Sequence, residues 1–129
     1  MAFARIRFSR PSEISGAAAT VAAISLDGRE LTAARRILVV HLTDAQGEGA
    51  RFSDDRKLRI DKGQNRTLAA KGRAELSLSY AAGNVRCRSL RLDGAPLNEI
   101  PVSSSDGRIA FAVEVSDGNP TFYYEVTVD

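Results

Sequence analysis

The sequence predicts an all-β fold, a two-sheet antiparallel β-sandwich of the immunoglobulin-like or jelly-roll-like kind. Three observations predict it. Apolar residues recur with period two in one segment after another, the pattern of strands with one buried face. Turn dipeptides such as Asp27-Gly28, Gly83-Asn84, Asp93-Gly94, Asp106-Gly107 and Asp117-Gly118 separate these segments at short intervals. No stretch sustains a helical period, and many short strands with hairpin signals pack most economically as two sheets.

The elements follow in order. Ala4, Ile6 and Phe8 face one way and Arg5 and Arg7 the other, until Pro11 ends the strand and residues 12–19 make a loop or an irregular crossing. Residues 20–26 form a strand closed by Asp27-Gly28. Residues 37–42 are apolar except for His41, a run that suits a strand covered on both faces. Residues 44–49 hold two glycines and read as a loop; residues 51–53 and 57–60 are short strand candidates, and residues 61–65 a turn. From Gly72 onward, Ala74, Leu76, Leu78 and Tyr80 alternate with Glu75, Ser77 and Ser79. In residues 85–92, Val85 and Cys87 share one parity and Leu90 and Leu92 the other, which implies a β-bulge or bend near Ser89. Ile109, Phe111, Val113 and Val115 form one inward face; Phe122, Tyr124, Val126 and Val128 form another. The expected core joins Ile37, Val39, Leu76, Leu78, Phe111, Val113, Tyr124 and Val126 across the two sheets. Two copies of Leu-Asp-Gly-x-x-Leu, at Leu26 and Leu92, read as one hairpin solution used twice.

Composition bounds the function. A chain of 129 residues fits a single domain, and its 43% hydrophobic and 26% charged residues are those of a globular protein, not a disordered one. The net charge is only +2, and the arginines are scattered among Asp and Glu, so no nucleic-acid partner is expected. No apolar stretch reaches the length of a membrane-spanning helix, so no membrane partner is expected either. The first residues lack a signal peptide's apolar core; if a parent protein is exported, its signal lies outside this chain. One cysteine excludes an intrachain disulfide, and one cysteine with one histidine cannot build a common zinc site, so neither metal nor other cofactor is expected.

The chemistry points away from an enzyme. His41 sits inside an apolar strand without a nucleophile-elbow motif, so it reads as a satisfied core or interface residue rather than a general base. Cys87 lies between Arg86 and Arg88, but alternation turns those cations to the opposite face, leaving a small buried hydrophobe. The acids at Asp44, Glu48, Asp54 and Asp55 match neither the facing carboxyls of a glycosidase nor a calcium loop.

Two stretches carry a resemblance. Residues 20–52 contain Ile24-Ser25-Leu26-Asp27-Gly28-Arg29-Glu30-Leu31 and then Ala34-Arg35-Arg36-Ile37-Leu38, running into a Gly-containing loop. Residues 72–128 contain Gly72-Arg73-Ala74-Glu75-Leu76, the second Leu-Asp-Gly, Ile100-Pro101-Val102 and the aromatic-rich edge Phe122-Tyr123-Tyr124-Glu125. This pattern resembles the C-terminal β-sandwich of bacterial glycoside hydrolases whose catalytic domain is a (β/α)8 barrel. The resemblance implies a non-catalytic accessory module, since in such proteins the catalytic acids belong to the barrel. The alternative is a carbohydrate-binding module engaging a polysaccharide through a small patch of Tyr123, Glu125 and Arg108. Only one face of a sandwich strand meets the opposite sheet. The doubly apolar run at residues 37–42 therefore needs a second cover. An interface at Ile37, Val39 and His41 is expected to supply it, closed by the catalytic domain of the same polypeptide or by a second copy. Residues 44–65, with Phe52, Leu58 and Ile60, are the cover available within the chain.

Overall fold

The computed structural model describes residues 4–9, 19–80 and 83–129, and it is all-β. One sheet has four strands in the order β1 (Ala4–Ser9), β8 (Gly72–Ser79), β12 (Arg108–Val115), β11 (Ser103–Ser105). The other has five, in the order β10 (Pro96–Ile100), β9 (Val85–Leu90), β13 (Tyr123–Val128), β3 (Arg36–Leu42), β2 (Thr20–Ser25). All pairings are antiparallel. The expected loop at residues 12–19 lies, apart from Ala19, outside the described residues.

Alternation fixes which residues meet between the sheets. Leu76 and Phe111 are register partners in the four-stranded sheet, as are Ala74 and Val113. Ile37 pairs with Val126, and Val39 with Tyr124, in the five-stranded sheet. These side chains close on one another: none of the eight expected core residues is more than 5% exposed. The four-stranded sheet turns a polar face outward, where Arg108 donates from Nε to Ser77 Oγ at 3.1 Å. Tyr80, also buried, donates its hydroxyl to the Ala34 carbonyl at 2.8 Å and ties β8 to the loop ahead of β3.

Both copies of Leu-Asp-Gly form the expected turn chemistry. Asp27 accepts from the Arg29 amide and Asp93 from the Ala95 amide, each two residues on, and Gly28 and Gly94 follow at φ of 74° and 84°. Asp27 also accepts from the Arg35 amide across its longer loop, and that bond holds its carboxyl below the usual range.

Two local expectations are corrected. Residues 44–49 are not simply a loop: β4 (Ala45–Gly47) pairs with β7 (Thr67–Ala69), and further out β5 (Arg51–Phe52) pairs with β6 (Arg59–Asp61). The excursion is a narrow arm, with Leu58 and Ile60 exposed near its tip. Its strands approach so closely that a β-carbon at Gly63, where φ is 74°, would meet the Glu48 carbonyl oxygen at 2.5 Å. The bulge near Ser89 belongs to the partner strand. β9 runs in unbroken register with β13, while β10 carries the extra residue, between Pro96 and Asn98. Ser89 is buried on the inward face it shares with Cys87, where its hydroxyl accepts from the Asn98 amide at 3.1 Å beside this irregularity.

Candidate functional site

Ile37, Val39 and His41 are fully buried within the chain, on the core face of β3, so they do not form the expected interface. Tyr124 and Val126 beside them and Val113 from the other sheet cover them. The opposite face of β3 is the uncovered one. Leu38 and Val40 are half-buried and Leu42 is 42% exposed. The arm does not fold over them, since Leu58 and Ile60 are 69% and 63% exposed.

Register shows what surrounds that face. Leu90, Tyr123, Val40 and Ala22 stand side by side on four consecutive strands and point outward together. The next row holds Arg88, Glu125, Leu38 and Ile24, and Ile24 is 49% exposed. Leu90, which seemed to break the alternation of its strand, and the second apolar face of β3 thus belong to one band. Ion pairs flank it: Arg36 with Glu125, and Arg88 with Glu99 at 2.9 Å.

The expected sugar patch is not assembled. Tyr123 and Glu125 lie on the outward face of β13 in the five-stranded sheet. Arg108 lies on β12 in the four-stranded sheet, bonded to Ser77 and Ser79 across the sandwich from them. Glu125 is engaged by Arg36 and only 16% of its side chain is exposed.

A different site lies at the side of the sandwich, a cleft of about 590 Å³ between β10 and β12. The chain leaves the five-stranded sheet at Ile100 and joins the four-stranded one at Ser103, opposite Ala110. Continuing that register would set Pro101 opposite Ala112, and proline has no amide hydrogen to give. The ladder therefore stops, and Ile100, Pro101 and Val102 become one wall of a gap instead of a strand.

The far end of the gap is closed from within. Tyr124 reaches the exposed edge of β12, donating its hydroxyl to the Glu114 carbonyl at 2.6 Å and accepting from the Glu114 amide at 2.9 Å. Asn119 adds bonds from its side-chain amide to the same carbonyl and to the Tyr124 hydroxyl. Ala110 and Glu114 thus turn their amides and carbonyls toward the gap, and alternate residues of a strand share a side. Ala112 does so too, yet among the described residues neither β11 nor a side chain pairs with it there. On the outer lip the Arg73 guanidinium stands 3.8 Å from both the Glu75 and Glu114 carboxylates. Asn98 lines the opposite wall, its amide nitrogen donating to Asn119 at 2.9 Å.

Two buried titratable groups complete the inventory. Burial, with Glu99 adding to it, pushes the Cys87 thiol up to about 12, which makes it an inert hydrophobe at neutral pH. His41 is fully buried and neither ring nitrogen has a hydrogen-bond partner among the described residues. It is a core residue as the sequence suggests, but not a satisfied one, and desolvation lowers its pKa. Among the described residues no group of three His, Cys, Asp or Glu gathers as metal ligands.

The chain matches no family model, no curated protein and no solved structure.

Proposed function

We propose that this chain is a non-catalytic β-sandwich accessory module of a glycoside hydrolase, packing the outer face of its five-stranded sheet against the catalytic domain of the same polypeptide and supporting it. The observation that carries the reading is the outward row Leu90, Tyr123, Val40 and Ala22, with Leu38, Ile24 and Leu42 beside it. A sheet in a sandwich ordinarily turns polar side chains to water. Here apolar side chains from four neighbouring strands adjoin, and contiguous patches of that kind mark interfaces. The ion pairs at the margin fit the more polar rim of an interface between domains.

Val40 stands inside the band, so Val40→Glu tests it. In the whole polypeptide the substitution is expected to lower the melting temperature of the catalytic domain by several degrees, at about 2–4 °C per kcal/mol of lost packing. In the isolated chain the midpoint should move much less, because no core contact is removed. Equal shifts in the two proteins, or none in the whole polypeptide, would contradict the reading.

The second reading, a carbohydrate-binding module, is favoured by one observation, the cleft between β10 and β12 with its convergent polar groups.

A further inference from the structure

We infer that the cleft between β10 and β12 is a binding site for a neutral oligosaccharide, with Ala112 at its floor and Arg73, Glu75 and Glu114 at its lip. The inference rests on the carbohydrate-binding reading and gives it a location that the sequence did not suggest.

The volume of about 590 Å³ falls within the span of small-molecule sites. Four features select the ligand class. The unpaired amide and carbonyl of Ala112 present a donor and an acceptor a few ångströms apart, and a hydroxyl group serves as either. Arg73 lies between the carboxylates of Glu75 and Glu114, so the lip alternates donor and acceptor at short spacing, with one carboxylate in excess. Such a lip suits neighbouring hydroxyls, whereas an anion would meet two like charges for one opposite, and a cation would have to displace Arg73 from the carboxylates it stands between. Ile100, Pro101 and Val102 supply an apolar wall for the C–H face of a sugar ring. Asn98 is exposed, and its side-chain oxygen makes no bond among the described residues, so it offers a further acceptor.

A peptide added as a strand is the competing occupant of an open sheet edge. That mode needs a run of free backbone groups. Here the run is one residue long, because β11 takes Ala110 and the Tyr124 hydroxyl takes Glu114. The structure therefore closes the slot to a strand while leaving Ala112 open to a single polar group.

The test is a titration of the isolated ¹⁵N-labelled chain with cellohexaose, xylohexaose, laminarihexaose, mannohexaose and chitohexaose, each taken to a concentration on the order of 10 mM, enough to fill weak sites. At least one of them is expected to shift the Ala112 backbone amide and the Asn98 side-chain amide. Glu75→Gln, on an exposed position, should weaken that binding about tenfold, the scale of one hydrogen bond to a charged group. Tyr123→Ala should leave it unchanged.

Shifts centred on Tyr123, or binding that Glu75→Gln does not weaken, would overturn the site and leave the carbohydrate-binding reading standing. No shift with any of the five sugars would overturn both. N-acetylalanine-N-methylamide, titrated in parallel, carries two peptide groups and no hydroxyl. If it shifts Ala112 more strongly than every sugar does, the cleft takes a peptide group and the proposal fails.

Discussion

Phe111→Ala is expected to lower the unfolding free energy by about 3–5 kcal/mol, the range for removing a large ring from a packed core. Phe111 is 5% exposed, lies in register with Leu76 on β8, and packs in the cluster that joins both sheets. Its removal subtracts apolar burial and leaves a void beside a wall that relaxes only in part, so both contributions act in the same direction. Denaturant unfolding of the variant beside the parent chain reads the difference as a shift in midpoint at unchanged slope. A loss below about 1 kcal/mol, the scale of an ordinary surface change, would mean that Phe111 is not part of the core.

His41→Leu is expected to act in the opposite direction, stabilising the chain by about 1–3 kcal/mol, since a buried polar group without a partner costs that much. Leucine is close to histidine in size and has no polar atoms to desolvate. The same residue sets a pH dependence. Burial lowers the folded-state pKa of His41 from 6.5, so the unfolded chain takes up the proton first as the pH falls. Stability is then undiminished above about pH 6.5 and declines below it, by at most about 1.4 kcal/mol per pH unit for one proton. His41 is the only histidine, so His41→Leu should flatten the profile between about pH 5.5 and 7.5, where ordinary carboxylates stay ionised. An unchanged profile, or a variant less stable than the parent at neutral pH, would show that the imidazole has a partner in solution.

Where one face of a strand is apolar and the other polar, the sequence is enough to place it. The strands bearing Ala74, Leu76 and Leu78, then Ile109, Phe111 and Val113, then Tyr124 and Val126, all turn those residues inward. Period two names two faces, however, and does not say which is inside when both are apolar. In β3 the polar His41 suggested an edge of contact, yet it lies on the core face, and the plain Leu38–Val40 side looks outward. The choice is made by neighbours distant in sequence, since β13 pairs with β3 and not with β12.

The same long-range order separates Arg108 from Tyr123, since β12 and β13 belong to different sheets. The arm was legible only in part: residues 51–53 and 57–60 read as short strands where β5 and β6 lie, while β4 and β7 went unread for a different reason. Its ladders are two or three residues long, too short to show a period. The cleft had a trace in the sequence, Pro101 between two apolar residues. Its meaning emerged only with the register that sets it opposite Ala112.

The accessory-module reading stands or falls on whether the outward band is covered in the whole protein. Hydroxyl-radical footprinting of Leu42, Leu90 and Tyr123 measures that cover directly, compared between the isolated chain and the whole polypeptide. Leu58, 69% exposed near the tip of the arm, serves as the internal reference. The account predicts that the three band residues are oxidised readily in the isolated chain and become protected several-fold relative to Leu58 in the whole polypeptide. Equal oxidation of Leu42, Leu90 and Tyr123 in the two samples would contradict it.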